Sequence, residues 1–148
     1  MSEFQVVVCQ LGNESYGIDI ESVYEIIRFQ ASTAVPAAPR FVDGVINLRG
    51  RIIPVMDLSS RFEMARSVTT KSTRIIVAGT DGMRVGLVVD AVTEVLMLAE
   101  EAVEPTPQVA SGHDSAYIRG IAKLGDQLVI LLDLGALFAD SSAIVQAA

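Results

Sequence analysis

The chain has 148 residues, 51% apolar and 20% charged, with aromatics at only 5%, no Trp and a net charge of −7. That is one ordinary domain by length, able to bury roughly 68–70% of its unfolded surface around an aliphatic core, and too apolar for disorder. The acidic balance disfavours a nucleic-acid partner, because Arg61, Arg66, Lys71 and Arg74 are spread out with no interleaved aromatics, and no stretch supplies the ~20 uninterrupted apolar residues of a membrane helix.

The segment Met-Ser-Glu-Phe at the start has neither a basic region nor an apolar one. A soluble, cytoplasmic protein is therefore expected. Phe4 to Leu11 reads as a Val-rich strand, Gly12 to Ser15 as a turn, and Tyr16 to Ile20 as a second strand. The single Cys9 has no disulfide partner and reads as a buried small hydrophobe. Ile20, Val23, Ile26 and Ile27 follow helical spacing behind Asp19 and Glu21, which predicts a short helix over Glu21 to Ile27. Gln30 to Arg40 is a loop with Pro36 and Pro39.

Gly44 to Asp57 reads as a hairpin turning at Arg49-Gly50. Gly50 supplies a positive φ, and Arg49 projects from the tip. Pro54 cannot donate to a ladder, so its strand should lie at an edge or bear a bulge. Asp57 suits the N-cap of a helical turn over Ser59 to Phe62. Glu63 to Ser72 is polar and aperiodic. Thr73 to Thr80 and Arg84 to Val89 are strands joined at Asp81-Gly82. Asp90 to Leu98 reads as a turn and a strand, and Ala99 to Ala116 as a long loop of which part can pair. Ile118 to Lys123 and Gln127 to Leu132 form a second hairpin. Leu134 to Phe138 starts a last helix, and Ser141 to Ala148 is expected to fray.

The second half repeats the first. Gly44, Leu48, Asp57, Leu58 and Phe62 recur as Gly120, Leu124, Asp133, Leu134 and Phe138, an offset of 76 (Gly120 minus Gly44). Val8, Gly17, Val23 and Glu25 recur as Val77, Gly86, Val92 and Glu94, an offset of 69 (Val77 minus Val8). The copies run over about 4–62 and 73–138. Many short strands in two copies predict two small β-barrels or one double barrel. Units of about 70 residues are marginal alone, so the two should share a core, with a groove between them as a binding place.

The catalytic inventory is thin. Asp57 and Asp133, one per copy, could in principle form an acid dyad, which needs ~3 Å between carboxylates. Each precedes a helical turn, however, and reads as an N-cap. His113 stands alone among Ser111, Gly112, Asp114 and Ser115, so neither a metal site nor a nucleophilic triad can be assembled. No phosphate cradle is present, and no cofactor or metal is expected. Arg49 is either a solvated turn cation or a recognition residue able to grip a carboxylate. Val55 and Leu131 read as core, with a contact patch as the alternative.

The stretch Phe41 to Leu58, together with Gly17-Ile18-Asp19-Ile20, Val23-Tyr24-Glu25-Ile26 and Val85 to Val92, resembles the CheW family of chemotaxis coupling proteins. The resemblance runs from about Phe4 to Phe138. It implies a mostly β fold of two intertwined five-stranded SH3-like barrels with short helices, one near the C-terminus, within a single domain over 1–148. It implies no catalysis. CheW-like proteins bridge transmembrane chemoreceptors, whose cytoplasmic hairpin tip lies in the groove between barrels, to the regulatory domain of the histidine kinase CheA. The chain would be cytoplasmic and recruited to receptor arrays, with neither nucleic acid nor the membrane itself as a direct partner. The family positions tied to receptor and kinase coupling match Val23, Glu25, Gly44, Arg49, Leu87 and Val89. Arg51 departs from the family, which often has an apolar residue after the turn glycine. Service to pili, gliding or another array stays open on these residues.

Overall fold

The computed structural model of the chain describes residues 2–38, 42–62, 64, 68–80, 82–105 and 117–139. Most of them are strand. The first half holds β1 (Glu3–Leu11), β2 (Glu14–Asp19), β3 (Val23–Arg28), β4 (Val42–Leu48), β5 (Arg51–Asp57) and a short helix α1 (Leu58–Arg61). The second holds β6 (Arg74–Ala78), β7 (Val85–Val89), β8 (Ala91–Ala99), β9 (Val103–Glu104), β10 (Ile118–Leu124), β11 (Gln127–Leu132) and α2 (Leu134–Ala139).

The halves exchange strands. One sheet has five strands in the order β3-β6-β7-β5-β4, and the other has six in the order β8-β1-β2-β11-β10-β9. Each sheet therefore takes the first two strands of one half and the later strands of the other. The exchange is sealed by two parallel pairings at corresponding places, Val55 beside Gly86 and Leu131 beside Gly17. The bulges repeat too. Tyr24 on β3 and Thr93 on β8 are skipped in the ladders to β6 and β1. Asp43 on β4 and Arg119 on β10 are skipped in the two hairpins.

Period-two alternation sends each sheet's two faces to different cores. Ile27, Ile46, Ile53, Val55, Ile75 and Val77 fill the interior of the five-stranded barrel. Val6, Val8, Leu96, Leu98, Val129 and Leu131 do the same in the six-stranded one. The opposite faces meet in a third, larger core that also takes Leu58 of α1, Phe62 just after it, and Leu134, Leu137 and Phe138 from α2. Val55 and Leu131 are thus core residues and not a contact patch. The shared middle layer is what a half-length unit could not make alone.

Four expectations change. Glu21 to Ile27 is not a helix. The Asp19 carboxylate accepts the Glu21 N–H at 3.0 Å and shapes one 3₁₀ turn, Ile20–Ser22, after which the chain enters β3. A seven-residue helix is marginal in isolation, whereas the β-branched Val23, Ile26 and Ile27 find a ladder partner in β6. Pro54 does not put its strand at an edge, because β5 lies between β7 and β4. Parallel pairing to β7 begins only at Val55, and the bulge sits at Asp43 on the facing strand, so the missing N–H costs no bond to β7. The second sheet has a sixth, two-residue strand, β9, drawn from the long loop; its counterpart in the first sheet is the single bridge from Thr33 to Val45. Asp57 takes the N-cap position without capping, as its carboxylate accepts the Ser60 hydroxyl at 2.8 Å and no backbone N–H of α1.

Candidate functional site

The hairpin β4–β5 closes at Arg49 and Gly50 with φ of 50° and 84°. Positive φ at both positions makes a type I′ turn, whose twist matches that of the strands it joins. The Asn47 side-chain carbonyl accepts the Gly50 N–H at 2.9 Å and holds the turn. Arg49 thus leaves the tip of the hairpin, where it forms an ion pair with Glu25 on β3. Its side chain is 70% exposed and that of Glu25 is 26% exposed. The hydrogen bond that Arg49 donates to Glu25, and then the Glu25 charge, raise the Arg49 pKa further above its ordinary value. Since β3 and β4 are opposite edges of one sheet, this pair clasps the five-stranded barrel shut. The corresponding positions in the other barrel are Glu94 and Gly125, so the clasp exists once.

The other sequence-predicted residues divide. Val23 is half-buried at the start of β3, against the central core. Gly44 is buried at the base of the hairpin, where a Cβ would lie 2.1 Å from the Thr33 carbonyl oxygen. Leu87 and Val89 are 0% and 1% exposed. As β7 residues they pack in the central core, on the inner face of the pleat. Only Val23, Glu25 and Arg49 lie together with access to solvent.

Apolar surface accompanies the clasp. Tyr24 and Ile26 on β3, and Val95 and Met97 on β8, are exposed large side chains on the two edge strands. The signal in the sequence is that both segments are apolar at successive positions, so an edge strand must leave some of them uncovered. Edges are ordinarily protected by charge, and grouped apolar exposure marks interaction surfaces.

Reaction chemistry finds little support. The exposed Asp133 accepts the Ala136 N–H at 3.0 Å, while the buried Asp57 receives the Ser60 hydroxyl. Each carboxylate serves its own helical turn, at the ends of strands in different sheets. Burial, and then the Asp90 charge, push the Cys9 thiol up to about 12, which removes its nucleophilic form at neutral pH. His113 lies outside the described residues. Among the described residues no three His, Cys, Asp or Glu side chains are grouped to hold a metal, and no helix is long and apolar enough to cross a membrane.

Two fused barrels, each with an edge strand that exposes large apolar side chains, and a polar clasp on one of them describe a double-barrel scaffold. Comparison with known proteins gives the family. Residues 5–142 match the CheW-like domain. Chemotaxis protein CheW of Treponema pallidum is 34% identical over 140 residues, covering 92% of this chain and 82% of that protein. Its counterpart from Klebsiella aerogenes is 38% identical over 130 residues, covering 88% and 78%. The crystal structure of the scaffolding protein TtCheW from Thermoanaerobacter tengcongensis superimposes with a TM-score of 0.85 at 40% identity, covering 93% of this chain and 89% of that one. The chain belongs to the CheW family.

Proposed function

We propose that the chain is a non-enzymatic adaptor that couples the cytoplasmic hairpin tips of transmembrane chemoreceptors to the regulatory domain of the histidine kinase CheA, in cytoplasmic arrays recruited to the membrane. The observation that carries this reading is the Glu25–Arg49 clasp, set beside the apolar edge strand that presents Tyr24 and Ile26. Such a strand offers apolar anchors for a helical hairpin laid against it, and Arg49 offers a guanidinium to a polar or acidic group on the same partner. Val23 supports the start of that strand. Gly44, Leu87 and Val89 act through the hairpin base and the central core, holding the surface in shape.

The test is co-sedimentation of the purified protein with CheA and receptor-bearing membranes, with kinase activity followed. The expected result is a protein that pellets with receptors and is required for receptor control of the kinase. Arg49→Glu breaks an exposed ion pair and should lower the urea midpoint only slightly, yet bind receptor about fivefold more weakly or worse. A protein that neither pellets nor alters kinase control overturns the adaptor reading, and unchanged binding of Arg49→Glu removes Arg49 from the surface.

A further inference from the structure

A cavity of about 190 Å³ lies between β5 and the turn from β6 to β7, and Arg51, Ile52, Pro54, Met83 and Arg84 line it. Two arginines on one small cleft are notable on a chain of net charge −7. The ion pairs of Arg49 and Arg119 lie elsewhere, and among the described residues neither Arg51 nor Arg84 has a carboxylate partner.

The repeat shows what this position does when it is self-sufficient. By the offsets of 76 and 69, Arg51 corresponds to Gln127 and Arg84 to Ser15. In the six-stranded barrel these two are partners, the Gln127 amide donating to the Ser15 hydroxyl at 3.2 Å, with a second donation from Gln10 at 2.8 Å. The same architecture that closes a neutral hydrogen bond in one barrel thus brings two like charges to one cleft in the other. Like charges in proximity repel unless an anion lies between them.

The surroundings specify the anion. The Arg84 guanidinium lies over the Tyr24 ring, 4.1 Å from its centroid. A guanidinium over an aromatic ring keeps in-plane N–H donors that can grip a carboxylate with two bonds. Ile52, 52% exposed, adds an apolar ledge beside the charges. Arginine, tyrosine and an exposed aliphatic side chain together have the composition of an interface anchor.

We infer that the cleft between Arg51 and Arg84 docks an acidic side chain of a protein partner, carried next to an apolar residue that covers Ile52. This cleft adjoins the Glu25–Arg49 clasp through Tyr24, which lies under Arg84 and precedes Glu25 on β3; its test uses neither receptor nor kinase, so it can fail without touching the adaptor reading. The full chain, labelled with ¹⁵N, is titrated with the blocked pentapeptide Ala-Leu-Glu-Leu-Ala, with the same peptide carrying Gln for Glu, and with inorganic phosphate. Saturable shifts at Ile52, Met83 and Arg84 are expected for the Glu peptide, with affinity at least about tenfold weaker for the Gln peptide and for phosphate. Arg84→Gln should weaken the Glu peptide by a similar factor, and Arg84→Lys less. Arg51→Gln, which installs the residue the other barrel uses, should also weaken the peptide while leaving the urea midpoint equal or higher. The inference is overturned by absent or unsaturable shifts, by equal binding of the Gln peptide, by phosphate binding as well as the peptide does, or by a lower midpoint for Arg51→Gln, which would make that arginine structural.

Discussion

Gly44 and Arg49 stand five residues apart on one hairpin and serve it in opposite ways. Gly44 has a φ of 146° and lies against the Thr33 backbone, so any side chain there meets both strain and a carbonyl oxygen. Gly44→Ala should cost about 1–3 kcal/mol, read as a lower urea midpoint; an unchanged midpoint would mean that the loop carrying Thr33 gives way freely. Arg49 has an unusual φ as well, but its side chain is spent outward on Glu25. The two N-cap aspartates differ in kind, since only Asp133 accepts a backbone N–H of its helix. Asp133→Ala loses an N-cap bond worth about 0.5–2 kcal/mol, whereas Asp57→Ala strands the Ser60 hydroxyl, and Ser60→Ala in the same background should recover part of the loss. Cys9 sets a pH limit. Its pKa is raised on folding from 9.0 to about 12, so the folded state keeps the proton longer than the unfolded one. Stability from this source is whole below pH 9.0 and is lost as pH rises towards about 12. Wild type should therefore lose stability more steeply than Cys9→Ala in that window; parallel curves would sink the assignment.

At the scale of elements, β3 shows how a strand can imitate a helix in sequence. Ile20, Val23 and Ile27 fall at near-helical intervals, yet Ile20 ends in a 3₁₀ turn and Ile27 points into the five-stranded barrel, while Ile26 faces out. Neighbouring substitutions should then diverge. Ile26→Lys should change stability by no more than about 0.5 kcal/mol. Ile27→Lys, which puts a charge against Ile75 and Val77, should cost about 2 kcal/mol or more. Equal costs in thermal unfolding would argue against alternation here. The two hairpins carry the same lesson in their turns. Arg49-Gly50 and Gly125-Asp126 occupy the same place with the glycine on opposite sides, so the strand register survives while the chemistry at the tip changes, and only one barrel acquires a clasp.

For the whole molecule, strand exchange couples the halves. β1 pairs with β8 and β3 with β6, so neither half contains the neighbours its own strands require. The central core is likewise drawn from both halves. Urea unfolding followed by far-UV circular dichroism and by Tyr fluorescence should therefore give one shared transition, and residues 1–72 produced alone should not fold. Two separable transitions, or a folded half, would contradict the coupling. Pairings this distant in sequence also predict slow folding for a chain of this size.

Much of this was legible before any coordinates. The two offsets placed nearly every strand, both hairpins and both terminal helical turns, because β-branched runs and tight turns are encoded locally. The family likeness rested on contiguous motifs, which a single chain displays in full. Partnership was not local. Periodicity could not tell that β5 lies inside its sheet, that Leu87 and Val89 face the shared core, or that Glu25 meets Arg49, because each depends on which distant strand arrives alongside. The repeat by itself left two small barrels or one double barrel open; only the packing decided that they share a core, that one is closed by an ion pair, and that it bears two arginines where the other bears a neutral hydrogen bond.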